Sequence, residues 1–166
     1  MISTIEQLES SLAKKELKSI YLLYGEELFL LESSLNKIKK IFGECIKGIN
    51  YIGIDDTNLS RLVSELETPA FGYEKKLIIV RNSGILKKEG KRKNQELSKI
   101  KEELVEYIKE NIKIINDSII LVIVEEEVDT KQELFKTIEK NGVICEFKTQ
   151  NPMQLEKRLK AICNRI

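Results

Sequence analysis

The chain has no histidine, only three cysteines and only two prolines in 166 residues. Without imidazole, histidine acid–base catalysis and histidine-containing zinc sites are excluded. Cys45, Cys145 and Cys163 are far apart, odd in number and never at metal-ligand spacing, so they read as small core residues of a reducing compartment. No apolar run approaches the roughly 18 residues that a membrane span needs, and the N-terminus lacks the charged-then-apolar pattern of a signal peptide. An excess of one charge is missing too. Lys+Arg number 28 and Asp+Glu 27, leaving a net +1 although 33% of the residues are charged. That balance argues against binding nucleic acid through bulk electrostatics and leaves only a local patch open. The expectation is a soluble, cytoplasmic protein with no metal and no cofactor.

What is present is a regular alternation. The length fits one domain able to bury a core without disulfide or metal staples, and no solenoid-period repeat occurs. Apolar runs at Tyr21 to Tyr24, Tyr51 to Ile54, Leu77 to Val80, Ile119 to Val124 and Val143 to Phe147 read as strands, several covered on both faces. Between them lie helical stripes: Leu28, Leu31, Leu35, Ile38 and Phe42, then Leu59, Leu62, Val63 and Leu66, the latter capped by Asp55, Asp56 or Thr57. A helix from about Asn94 to Ile112 aligns Leu97, Ile100, Leu104 and Ile108, and a shorter one carries Leu134, Phe135 and Ile138. Asn151-Pro152 opens a last helix with Leu155, Leu159 and Ile162, and an amphipathic leader, Ile5, Leu8 and Leu12, precedes the first strand. The fold class is α/β, a mostly parallel sheet of about five strands flanked by helices.

Two chemical parts are missing from this framework. The first strand, its glycine turn and the next helix stand where a phosphate-binding loop would, but such a loop needs Gly-Lys-Ser/Thr to cradle phosphates and hold Mg²⁺. Here Tyr24-Gly25 is followed by Glu26-Glu27-Leu28-Phe29, placing two carboxylates at a helix N-terminus that is expected to be capped by them. The strand Leu77 to Val80 would end in a metal-binding acid but ends in Arg81-Asn82. Phosphate grip and metal grip are lost together, which points away from an ATP-hydrolysing enzyme. A P-loop-derived nucleotide-binding enzyme is the alternative that these losses oppose. A receiver-type signalling domain is a second: Asp55 or Asp56 would tempt as phosphoacceptor, Glu26, Glu27 and Lys148 partly fit, and Arg81-Asn82 does not.

Other candidates have plain readings. Lys87-Lys88-Glu89-Gly90-Lys91-Arg92-Lys93 could touch DNA phosphates but reads more simply as a solvated loop. Glu125-Glu126-Glu127 and Asp129 could be imagined around a hard metal, and read better as an acidic start to the next helix. Lys75 and Lys76 read as polar flanks of a strand. Phe71 is different: it lies among turn residues, after Thr68-Pro69 and before Gly72, where an exposed ring usually means a partner.

Three stretches together resemble the N-terminal domain of the delta subunit of bacterial DNA polymerase III. Ile20 to Leu30 is similar to that family's opening strand with Tyr-Gly-Glu/Asp and a helix; Glu67 to Asn82 resembles its Pro-x-Phe turn leading through basic residues into a Leu/Val strand; Val128-Asp129 followed by Lys131 resembles its Val-Asp-Lys helix opening. The resemblance implies an AAA+-type domain with a degenerate nucleotide site, residues 1–166 forming that single domain and the lid and collar domains that assemble the loader lying beyond Ile166. It implies a non-catalytic clamp-loader subunit that binds and helps open the DNA sliding clamp. By motif, the clamp-binding wedge maps to Pro69, Ala70 and Phe71, with Ala70 departing from the commoner Leu-Phe pairing. Partners so implied are the sliding clamp, other loader subunits and, in the assembled loader, DNA.

Overall fold

Residues 1–90, 94–149 and 160 are described here from a computed structural model. In chain order the elements are β1 (Ile2–Ser3), α1 (Ile5–Ala13), β2 (Ile20–Gly25), α2 (Leu28–Phe42), β3 (Tyr51–Ile54), a 3-10 turn (Leu59–Arg61), α3 (Leu62–Glu67), β4 (Lys76–Arg81), α4 (Gln95–Ser118), β5 (Ile119–Glu125), α5 (Glu133–Asn141) and β6 (Val143–Phe147). The expected helix after Asn151-Pro152, and Cys163, lie outside the described residues.

Among the described residues the strands form one sheet of six in the order β1-β6-β2-β5-β4-β3, and every adjacent pair is parallel. β2 is central, with Leu22 facing Ile123 on one side and Ile144 on the other. Because successive strand side chains point to opposite faces, the apolar runs split cleanly between two cores. Ile20, Leu22, Ile78, Val80, Leu121 and Ile123 pack under α3, α4 and α5. Tyr21, Leu23, Leu77, Ile79, Val122 and Cys145 pack under α1 and α2. Each fully buried Leu, Ile or Val contributes roughly 1.5–3 kcal/mol, and all seven residues of β5 are buried, the first six, Ile119 to Val124, being apolar without alternation and the last being Glu125.

Several expectations need correction. The sheet has a sixth strand, β1, ahead of the amphipathic leader; two residues are too few to show a period. Leu28 does not join the buried stripe of α2, being 55% exposed, and Leu30 is buried instead. The segment after Asp55-Asp56-Thr57 begins as a 3-10 turn flanked by Asn58, while Asp55 accepts hydrogen bonds from Thr57 N and Oγ1 and caps no helix. The helix from Asn94 breaks at the non-helical Asn111, beside the expected end near Ile112, and a second, unexpected helical stretch continues α4 to Ser118. Cys45 is exposed, and Cys145 is buried in the core, its thiol pushed up to about 12 by burial.

The strand order also removes the receiver-type alternative. That fold places its second strand beside its first. Here β3 stands at the far edge, with β5 and β4 between it and β2.

Candidate functional site

Two regions at opposite ends of the parallel sheet carry the chemistry the sequence singled out. The first is the crevice at the carboxyl ends of β2, β5 and β6. β2 ends at Gly25, whose φ of +129° is in the region that favours glycine, and α2 starts at Leu28, so only Glu26 and Glu27 connect them. That connection is too short to form a phosphate nest. Its backbone is also already engaged: Glu27 N–H donates to the Phe147 carbonyl at 3.0 Å, and Leu28 N–H to Glu26 O at 3.0 Å. A Cβ on Gly25 would lie 2.3 Å from that same Phe147 oxygen. The two carboxylates do not cap α2, since Glu27 makes no side-chain cap hydrogen bond. β6 closes the turn in their place.

The crevice, about 510 Å³, is bordered by Glu26, Glu126, Glu127 and Glu146, with Lys148 the one cation among its lining residues. Lys148 Nζ is 3.7 Å from Glu146, which also accepts from Tyr24 Oη at 3.4 Å. Burial, reinforced by the Glu146 charge, pushes the Tyr24 phenol up to about 12. Four carboxylates against one lysine oppose a polyphosphate by simple Coulomb repulsion.

The neighbouring position that would hold a metal acid is filled by an ion pair. Arg81 Nη1 and Nη2 donate to Glu32 Oε1 and Oε2 at 2.5 and 3.0 Å. The hydrogen bond from Arg81 holds the Glu32 carboxyl below its usual range. Asn82 follows at φ +50°, donating its N–H to Val124 O at 3.0 Å.

The acidic run after β5 is divided rather than gathered. Glu125 is 4% exposed and turned inward, accepting from Ser83 Oγ at 2.5 Å and from the N–H groups of Ser83 and Gly84 at 3.2 and 3.3 Å. Burial raises its pKa, against the lowering effect of these three donors. Glu126 and Glu127 are exposed, and Asp129 shapes a turn by accepting from Lys131 N–H at 3.0 Å. α5 begins only at Glu133, after Gln132, so the run does not open it. Among the described residues no group of three or more His, Cys, Asp or Glu could hold a metal ion. Lys87 to Gly90 are exposed, and Lys91, Arg92 and Lys93 lie outside the described residues.

The second region is the connection from α3 to β4 at the amino end of the sheet. Ala70 O accepts from Tyr73 N–H at 3.1 Å, closing a β-turn with Phe71 and Gly72 at its centre. Gly72 has φ +82° while Phe71 does not have a positive φ, the combination of a type II turn. The Phe71 ring is 86% exposed at the tip, with Pro69 exposed, Ala70 half-buried and Tyr73 beside it at 37%. Ala70 and Phe71 thus lie on one turn, with Pro69 immediately before it.

The base of this turn holds a residue that the sequence hides. Lys76, which reads as a strand flank, is 2% exposed, and its Nζ donates to Glu65 O at 2.8 Å, Glu65 Oε2 at 2.8 Å and Thr68 O at 3.2 Å. No spacing rule connects Lys76 with a carboxylate eleven positions earlier.

Comparison with known proteins decides the family. The family model for the DNA polymerase III delta subunit matches residues 21–148. The chain belongs to this family. It is 26% identical over 144 residues to DNA polymerase III subunit delta of Bacillus subtilis (strain 168), covering 85% of this chain and 40% of that protein. The solved structure of the Bacillus subtilis DNA clamp loader delta protein superposes with a TM-score of 0.70 at 25% identity, over 90% of this chain and 44% of the other. The chain therefore spans less than half the length of these two relatives. A DNA polymerase III gamma subunit-related protein from Thermotoga maritima shares the fold, with a TM-score of 0.51 at 14% identity over 96% of this chain and 50% of that one.

Proposed function

We propose that this domain is the clamp-binding module of a clamp-loader delta subunit, binding and helping to open the DNA sliding clamp during replication without ATP hydrolysis of its own. The observation that carries the reading is the Phe71 ring, 86% exposed on a turn anchored by regular elements at both ends. Exposed aromatics on fixed turns suit insertion into an apolar pocket, since little ordering cost remains to offset the contact. Pro69, Ala70 and Tyr73 complete the apolar surface around it; Ala70 makes this wedge smaller than a Leu-Phe pair, and Phe71 carries correspondingly more of the contact.

The absence of catalysis belongs to the same proposal. A crevice bordered by four carboxylates, with its turn amide bonded to Phe147, supports neither nucleotide binding nor phosphoryl transfer. Other loader subunits would be engaged through the family's lid and collar domains, and DNA would be met in the assembled loader. A cytoplasmic setting is part of the proposal; among the described residues no helix is long and apolar enough to cross a membrane. The test is surface plasmon resonance of wild type and Phe71→Ala against the cognate clamp, paired with a thermal melt of each.

A further inference from the structure

α3 is a six-residue helix whose last carbonyls need partners from outside it. Ser64 O receives both Thr68 N–H at 3.1 Å and Thr68 Oγ1 at 2.7 Å. Leu66 O receives Tyr107 Oη at 3.4 Å, from α4. Glu65 O and Thr68 O are both taken by the Lys76 ammonium, whose third contact is the Glu65 carboxylate. An ammonium has three donors, and each has a partner here. A cation at a helix C-terminus is favoured by the aligned peptide dipoles, but burying one is costly unless its partners are complete.

The location of this buried charge is what gives it meaning. Lys76 is the first residue of β4, aligned with Ile119 of β5 in the sheet, while Glu65 and Thr68 are the end of α3. One side chain therefore ties together the two ends of the 68–75 connection that carries Phe71. We propose that Lys76 is a positioning residue for Phe71: its ammonium fixes the base of the turn so that the ring meets its partner already ordered. The proposal rests on the reading of Phe71 as the clamp anchor. Lys76 touches no partner itself; it acts by removing ordering cost from binding.

Lys76→Met keeps the chain length and deletes the ammonium. In the free 166-residue chain, ¹⁵N relaxation should then show order parameters at Phe71, Gly72 and Tyr73 falling from the rigid range of about 0.85 to below about 0.6, with β5 amides unchanged. Clamp affinity should fall about tenfold in the Phe71 background and change less than about twofold when Phe71→Ala is already present, because preorganisation counts only when the ring is there to be presented. Glu65→Gln/Lys76→Met removes both charges and strands neither, and the same measurements are made on it should the single variant melt below the assay temperature. Unchanged order parameters, or equal weakening with and without Phe71, would overturn the proposal. So would unfolding of both variants, which would make Lys76 a support of the fold rather than of the turn. If Phe71→Ala itself binds like wild type, the clamp reading fails while the order parameters still decide what Lys76 does.

Discussion

The Phe147 carbonyl accepts the Glu27 N–H at 3.0 Å, joining residues from β6 and the β2–α2 turn that are remote in sequence. An amide that would point at a phosphate is spent inside the protein. Titration calorimetry with Mg-ATP is expected to be silent, and to stay silent in Glu26→Gly/Glu27→Lys, where the lysine is supplied but the amide of residue 27 remains bonded. A dissociation constant of about 1 μM or tighter, worth about 8 kcal/mol, would sink this expectation.

Two glycines with positive φ should respond differently to alanine. At Gly25 the new Cβ meets Phe147 O at 2.3 Å, whereas at Gly72 nothing lies within 4 Å. Gly72→Ala therefore carries only the backbone cost, about 1 kcal/mol, and Gly25→Ala adds a backbone clash for about 2–3 kcal/mol in total. Urea denaturation of the two variants checks the order; equal midpoints would show that β6 yields at the turn.

Phe71→Ala is expected to weaken clamp binding thirtyfold or more, about 2 kcal/mol, as truncated aromatic anchors do. Its melting temperature should stay within about 1 °C of wild type, because the ring leaves no core cavity behind. A mutant that melts several degrees lower and binds normally would make Phe71 a structural residue.

Glu125 gives the stability an unusual pH dependence. Burial raises its pKa in the folded chain above the ordinary carboxyl value, so the folded state holds its proton more tightly than the unfolded state. The stabilisation is complete below the unfolded value and is lost as pH rises through the folded one. The difference in unfolding free energy between wild type and Glu125→Gln should therefore decline as pH rises from about 4.5, a trend opposite to that of a salt-bridged carboxylate. Denaturant titrations at half-unit pH steps measure it; a difference that grows with pH would mean that the three donors outweigh burial.

The sheet was legible because both faces of its strands are covered, which writes the runs at Ile119 to Val124 and Leu77 to Val80 almost without polar interruption. The turn that exposes Phe71 was legible because Thr68-Pro69 and Gly72 mark it. Other features depend on meetings that sequence does not encode locally. Lys76 looks like any strand flank until its ammonium is seen on Glu65 and Thr68. Glu26 and Glu27 suggest a capped helix, while the closure comes from a main-chain carbonyl, which leaves no side-chain signature. Leu28 fits the helical stripe by period yet faces outward, because α2 has only just left the sheet at that point and Leu30 supplies the inward contact.

β1 is the smallest element, pairing only Ile2 with Ile144 and Ser3 with Cys145. Without it, β6 would be the outermost strand, a run with one exposed residue, Glu146, in Val-Ile-Cys-Glu-Phe. Such an open, apolar border is a template on which other chains can add themselves. Among the described residues, β1 occupies the middle of that border with two residues, too few to form a template in turn.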